Sequence, residues 1–554
     1  MNRLPLRIAL AAATTLAALF ACEAASRFLL PVPRYHREPV ELDAELGFRG
    51  IPHDTTEIDG DQGRYTIAFD AHGLRGRDLP SEPAPGVSRI VFVGDSMLVG
   101  QAVREEQLAT SLVESALRRD GREVEVYNLS VIDYGTAQEL LLLRRLGQPL
   151  APDTVVLFVY PANDLVNNTI ELAGRTTVSP GDPLRPYLVA GSDDALELRY
   201  LDPLRARLRR HSRLFATLEL RALSAQGDAA PREDWVARVR RGLAPKEDLE
   251  LFREHPGEDD PWARAWESTF ALLRTFRAEC DAIGARLLVV VVPSLHQVVR
   301  SPKWISLEIS ARLAGARTLD ALLDWDLPER RLRRFFEDEG IEARFLLGPL
   351  RDATAAGARV YARDDHLSPT GHQIAAASVL GGLAPDASAA PPPPASEQGG
   401  PSWLLPDASA APSLLDFRSD PHVDHLGGGW EAWTPPGSDA PPGWRIGASA
   451  MAVLPRAEGE LVLRGSAPVN ASLPIDGSLA IAGGPRHRFR IERAGPFALR
   501  FAAREPGKPE PPSAEGYFAV MLALQDAAGG EGADSVSIEA LGFDRAGARG
   551  DDRR

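Results

Sequence analysis

The sequence predicts an α/β domain, a doubly wound parallel sheet flanked by helices, followed by an all-β sandwich domain. Three observations carry this expectation. Short continuous apolar runs alternate with helix-period segments before residue 384; a Pro/Ala/Ser-rich break covers 384–414; and short alternating segments fill 415–544. Continuous apolar runs suit strands covered on both faces, whereas apolar/polar alternation suits strands with one solvated face. At 554 residues the chain is long enough for two or more cores, and 44% hydrophobic with 25% charged residues is a globular composition. The net charge of −15 argues against nucleic acid as a partner and against a basic face lying on anionic lipid.

At the N-terminus, Arg3 and Arg7 precede an apolar run from Ile8 to Cys22, which reads as an export signal. Its length fits a signal-peptide core better than a full bilayer span. Residues 1–30 are therefore expected to be a signal or membrane anchor, with the rest of the chain outside the cytoplasm, in the periplasm or at the cell surface. Cleavage, retention as an anchor in the inner membrane and lipid attachment at Cys22 are the three outcomes. Arg27 closing the segment, with Phe28, Leu29 and Leu30 extending its apolar character, favours retention.

Within the 31–383 domain, "RIVFVG" at 89–94 reads as a buried strand, and Leu108, Leu112, Val113 and Leu117 form one helical stripe that stops at Gly121. "VEVYNL" at 124–129 is a second strand, "TAQELLLLRRL" at 136–146 a helix, and "TVVLFVY" at 154–160 a third strand. Such a βαβαβ run implies a parallel sheet with helices on both faces. Trp266, Phe270, Leu273, Phe276, Cys280 and Ile283 recur at helical spacing up to Gly284, and "ARLLVVVVPS" follows as another strand. Trp262 and Trp266 are expected in the core rather than as a sugar platform. From about 170 to 260 no clear period shows; the stretch reads as an insertion near the site, a candidate lid, in which Arg205, Arg207, Arg209 and Arg210 are expected on a solvated helix face.

The 384–414 segment repeats "PDASAAP" and contains "PPPP", so it is expected to be an extended linker. Beyond it, "ELVLRG", "HRFRIE", "FALRFAA", "GYFAVMLAL" and "VSIEALGF" make at least five short strands of an accessory β-sandwich over 415–544, with a disordered tail at 545–554. Trp430, Trp433 and Trp444 could stack on sugar rings, although core or edge packing is the ordinary role for at least two of them.

Three segments carry chemistry. Gly94-Asp95-Ser96 ends the first strand, and Gly94 permits the turn that presents Ser96 where ligands of open α/β sheets bind. A serine becomes a nucleophile only when a base removes its proton, and His366 in "YARDDHLSPTGH", two residues after Asp364, is the candidate base with a carboxylate to orient it. Asn163 and Asp164 follow the third strand at its carboxyl end, and the Asn163 amide is a donor that could meet a developing oxyanion. Cys22 and Cys280 cannot form a disulfide framework or a cysteine-based zinc site, and no histidine–carboxylate cluster stands at ligand spacing, so neither a metal nor a cofactor is expected.

Together these segments resemble the SGNH, or GDSL-type, esterase and lipase family, in its bacterial membrane-anchored form. The first block is matched by Gly94-Asp95-Ser96, the third by Asn163-Asp164 and the last by Asp364 and His366; "FDAHGLRGRDLP" at 69–80 is similar to a segment upstream of the serine strand in such members. The resemblance implies that Ser96 attacks an ester carbonyl, His366 moves the proton and Asp364 holds the imidazole. It further implies that backbone N–H groups of Ser96 and of the second-block residue, with the Asn163 amide, bind the oxyanion, while Gly94, Asp95 and Asp164 support the turns. The second block departs from the pattern: Asp133 stands where glycine is usual, with Gly135 two residues on. Aspartate tolerates left-handed backbone better than most residues, but its charge beside an oxyanion is unhelpful unless turned away.

Export and the added β domain point to an acylated substrate, an O-acyl and specifically O-acetyl group on a cell-surface glycan or a related small molecule. Two other readings stand beside hydrolysis: an acyltransferase using the same serine on an extracytoplasmic polysaccharide, and a non-catalytic glycan-binding or assembly protein on a degenerate fold. Nothing in the sequence names a protein partner.

Overall fold

The structure, a computed structural model, describes residues 4–35, 39–60, 63–80, 86–175, 182–191, 196–229, 249–257, 259–299, 304–305, 307–309, 318–362 and 364–383, and in the C-terminal region 414–416, 430–434, 443–446, 449–455, 460–467, 473–482, 484–502, 513, 517–525 and 536–544. The expected linker, apart from Leu414, and the expected tail lie outside the described residues.

The apolar N-terminal run forms one helix, α1 (Leu4–Leu29). Two antiparallel hairpins follow, β1 (Val40–Asp43) with β2 (Gly47–Gly50), and β3 (Thr55–Gly60) with β4 (Gly63–Ala68). The alternation read from the sequence then appears as β5 (Ser88–Gly94), the short α2 (Ser96–Val99), α3 (Ala109–Arg119), β6 (Val124–Ser130), α4 (Thr136–Leu142), β7 (Thr154–Val159) and α5 (Pro161–Asn167). The described residues of the 170–260 stretch, which shows no helical period, nevertheless contain the hairpin β8 (Tyr187–Ala190) and β9 (Leu196–Arg199) and the helices α6 (Pro203–His211) and α7 (Arg213–Ala229). Its periodicity is hidden because α6 turns an arginine inward. Arg209 is buried, with Nη1 2.8 Å from Asp182 and Nε 2.7 Å from Glu219, whereas Arg207 is exposed. The expectation of one solvated arginine face is corrected accordingly.

The domain closes with α8 (Pro261–Ala282), β10 (Arg286–Val291), α9 (Leu295–Val298), α10 (Leu327–Glu339), β11 (Glu342–Phe345), α11 (Leu347–Ala355) and α12 (Pro369–Leu383). Five strands form one parallel sheet in the order β11-β10-β7-β5-β6. Alternate residues of each strand serve opposite cores, which is why the runs are apolar throughout. Ile90 and Phe92 pack with Val113 and Leu117 of α3 and Val379 of α12, while Val91 and Val93 belong with Leu140 of α4 and Trp266 and Phe276 of α8. Trp262 and Trp266 are buried, as their spacing predicts.

The C-terminal region holds β12 (Leu414–Asp416), β13 (Trp430–Thr434), β14 (Gly443–Ile446), β15 (Ser449–Pro455), β16 (Glu460–Ala467), β17 (Ile475–Ile481), β18 (Arg486–Ile491), β19 (Gly495–Ala502), β20 (Tyr517–Gln525) and β21 (Val536–Asp544). One antiparallel sheet runs β13-β14-β21-β16-β19, with β12 also on β21, and the other runs β15-β20-β17-β18. Leu461, Leu463 and Leu541 of the first share a core with Leu454, Leu479 and Leu522 of the second, so the two sheets face each other as a sandwich. In β18 the buried Phe489 and Ile491 alternate with exposed arginines. Trp430 and Trp433 stand on β13 and Trp444 on β14; whether their side chains pack in the core or edge or are open to stacking lies outside the described residues.

Candidate active site

The chain leaves β5 to place β6 on one side and returns to place β7 on the other. The carboxyl ends of β5 and β7 therefore flank a topological switch point, where open α/β sheets bind ligands. Gly94 ends β5, and a Cβ there would lie 3.0 Å from Cβ of Phe158 and 3.2 Å from Cβ of Leu98, so only glycine lets α2 pack this closely on β7. Asp95 caps α2, its Oδ1 accepting from the Met97 N–H at 2.9 Å, and Ser96 is the first residue of that helix, half-buried. Arg75, buried in the 69–80 segment, donates from Nη1 to the Val99 and Gly100 carbonyls and from Nη2 to that of Val103, which clamps the loop behind the serine.

On β7's side, Asn163 and Asp164 lie in α5, not in a free turn. Asp164 is buried and accepts from the Tyr160 N–H at 2.7 Å, holding the start of α5. Asn163 donates from Nδ2 to Oδ2 of Asp95 at 2.7 Å and, over a long 3.4 Å, to the Tyr134 carbonyl. The two strand ends are thereby tied together through the residue beside Ser96. Burial raises the Asp95 carboxyl to about 6, against the Met97 N–H, the Asn163 amide and the His366 charge, which act to lower it.

His366 arrives from the loop before α12. The Ala362 N–H donates to the His366 carbonyl at 2.7 Å, and Asp365 between them takes φ of +69°. Nδ1 of His366 lies 3.0 Å from Oδ2 of Asp364, whose Oδ1 accepts from the His366 backbone N–H at 3.2 Å. Burial works against a charged imidazole, but Asp364, Asp95 and Asp365 outweigh it and hold the His366 pKa above 6.5. Burial likewise works against the Asp364 carboxylate, and His366 reverses this, holding its pKa below 3.8. His366 thus faces Asp364 through Nδ1 and lies in the electrostatic field of Asp95, next in the chain to Ser96.

Asp133, after β6, adopts φ of +55°, the left-handed conformation for which glycine is the usual choice. Its carboxylate is turned onto Arg185: Nη2 of Arg185 donates to Oδ2 at 2.6 Å, and Nη1 to the Asp133 carbonyl at 3.1 Å. Asn167 Nδ2 adds bonds of 3.0 and 3.2 Å to the same carbonyl and to Oδ1. Gly135 has a different task. Its φ is ordinary, but a Cβ would lie 2.6 Å from Cβ of Asn167, so it is the close contact with α5 that requires glycine. Asn168 completes the seam, accepting from the Ala137 N–H and donating to Thr136 and Thr269.

Arg75, Arg185, Asn167 and Glu139 were not singled out from sequence. Glu139, wholly buried on α4, has both carboxylate oxygens without a hydrogen-bond partner among the described residues; burial, then Asp164 and Asp95, raise its pKa well above 4.5. Asn167 falls in the "NDLVNN" run, and Arg75 in the segment similar to one upstream of the serine strand. Arg185 lies in a polar stretch with no local signal.

No family model matches the chain, and no curated protein matches it. Among solved structures it is similar to a two-domain esterase active on acetylated mannans, at 10% identity over 83% of this chain and 91% of that one, with a TM-score of 0.25. It is also similar to a catalytic mutant of an acetylxylan esterase from Geobacillus stearothermophilus, at 12% identity over 54% of this chain and 95% of that one, with a TM-score of 0.27. A lipase/acylhydrolase from Enterococcus faecalis is similar at 13% identity over 54% of this chain and 95% of that one, with a TM-score of 0.26.

Proposed function

We propose that the chain is a serine esterase that removes an O-acyl group, specifically O-acetyl, from an extracytoplasmic glycan, with α1 retained as its membrane anchor. The observation that carries the reading is the His366–Asp364 pair at 3.0 Å, in the field of the Asp95 carboxylate that caps the turn of Ser96. With Nδ1 set 3.0 Å from the Asp364 carboxylate, Nε2 of His366 is the nitrogen left to take the Ser96 proton. Ser96 Oγ attacks the ester carbonyl, and the resulting oxyanion is met by the backbone N–H groups of Ser96 and Asp133 and by the Asn163 amide, whose 3.4 Å bond to the Tyr134 carbonyl is weak enough to exchange for it. Imidazolium Nε2 then returns the proton to the departing alcohol. A water, deprotonated by the same imidazole, releases the acid and restores Ser96. The ion pair with Arg185 removes the objection to Asp133, because its charge is matched before an oxyanion forms.

The test is covalent labelling by a fluorophosphonate probe. The wild-type chain takes the label and Ser96→Ala does not, with a fall in ester hydrolysis on the order of 10⁶-fold. Absence of labelling in a folded wild-type chain overturns the reading in favour of a binding protein. Products analysed with and without a glycan acceptor separate hydrolysis from acyl transfer.

A further inference from the structure

We infer that α6 and α7 form a collar on the membrane surface, their outward leucines seated in the interfacial layer of the bilayer that α1 enters. The inference takes from the preceding reading only that α1 is retained in a membrane, and it does not depend on the esterase chemistry.

First, α1 is built into the folded domain at one seam. Oε1 of Glu23 accepts from the Arg213 N–H at 2.9 Å, and Oε2 from the Leu214 N–H at 3.1 Å and the Ser212 hydroxyl at 2.7 Å, while Arg27 donates to the His211 carbonyl at 2.5 Å. Glu23 therefore caps α7, a bond set that requires residue 23 in the mature protein. From Leu10 to Cys22 every residue of α1 is exposed, and packing begins at Glu23. The 19 residues from Leu4 to Cys22 span about 28 Å at 1.5 Å per residue, against a hydrocarbon core of about 30 Å. The apolar part of that stretch, Ile8 to Cys22, rises about 22 Å, with Arg7 at its far end and the seam at its near end.

Second, the remaining exposed large apolar side chains gather at that seam. Outside α1 and among the described residues there are seven, and five of them, Leu198, Leu201, Leu204, Leu208 and Leu218, belong to β9, α6 and α7 or the turn between them. Leu204 and Leu208, 69% and 43% exposed, are one turn apart on the same face of α6. Because α6 ends at His211 and α7 begins at Arg213, Leu204, Leu208 and Leu218 lie within about 10 Å, measured along their helices, of the residues that grip α1. The inner side of α6 is already occupied by Ala206 and by Arg209 with its two carboxylates, so the leucines have no interior to enter. Arg207 and His211, also exposed on α6, can reach headgroups, but the contact is mainly apolar and suits a zwitterionic surface.

The experiment uses the full chain, in a Cys22→Ser background, reconstituted into phosphatidylcholine vesicles. An environment-sensitive fluorophore is attached at Leu204→Cys or Leu208→Cys, with Leu19→Cys as the anchor control and Leu322→Cys as the aqueous control. Lipid-borne quenchers are expected to quench positions 19, 204 and 208 several-fold more than position 322. Quenching at 19 with 204 and 208 behaving like 322 overturns the collar while sparing the anchor. Blue-shifted emission at 204 and 208 without lipid quenching indicates a protein occupant and also overturns it. No quenching at 19 sinks the anchor and the collar together, leaving the esterase reading untouched.

Discussion

Asp364 acts on His366 in two ways that a pH profile separates. It lies 3.0 Å from Nδ1, and it helps raise the imidazole's pKa above 6.5. A general base must be neutral, so the acid limb of kcat/KM is expected above pH 6.5; Asp364→Asn is expected to move that limb downward and to lower the plateau by about 10²- to 10⁴-fold. A variant that loses rate with an unmoved limb would show that the pairing is not felt by the base. Glu139 presents a second case, a buried carboxyl whose pKa is raised well above 4.5 by burial and then by Asp164 and Asp95. A raised acid pKa contributes stability that is complete below about 4.5, the unfolded value, and is lost as pH rises through the folded one. Glu139→Gln keeps the shape without the proton, and its melting temperature is expected to fall less than that of the wild type as pH rises from 5 to 9.

At the scale of elements, the turn after β6 is held from outside the strand–helix frame. Arg185 from the 170–260 stretch and Asn167 from α5 supply the hydrogen bonds to the Asp133 carboxylate that a glycine at position 133 would not need. The Arg185–Asp133 pair is buried, so removing one partner takes the matching charge from the other in a desolvated place. Arg185→Met is expected to cost about 3–5 kcal/mol of unfolding free energy. Asp133→Gly in the same chain is expected to recover most of that loss, since glycine removes the charge and accepts the positive φ. Urea unfolding of the two single variants and the double variant measures the coupling; additive losses would mean that the pair is not an energetic unit.

Across the whole molecule, the 170–260 stretch joins the site to the N-terminal helix: Arg185 reaches the β6 turn, and the α6–α7 junction holds α1. Glu23→Ala is expected to cost about 1 kcal/mol, as a lost helix cap does, and to expose the 213–229 helix to limited proteolysis before the parallel sheet opens. Equal cleavage rates in variant and wild type would show that the cap does not stabilise α7.

How much of this could be read beforehand depends on whether the cause is local in the chain. The strands around Ile90–Val93 and Val155–Val159, the helices between them, the alternating β strands and the Gly94-Asp95-Ser96 and Asp364/His366 segments are written in apolar period and in short-range residue chemistry, so sequence by itself determined the α/β sheet, the antiparallel C-terminal strands and the pairing of Asp364 with His366. The 170–260 helices escaped because burial of Arg209 breaks the apolar period, and Arg185 escaped because its partner Asp133 is 52 residues away. Only the tertiary structure decided that Asp133 carries the left-handed turn with its charge neutralised, that Gly135 serves close packing, and that α1 is gripped by α7. Each of these is a contact between segments far apart in sequence, where ion pairing and steric fit leave no trace in local composition.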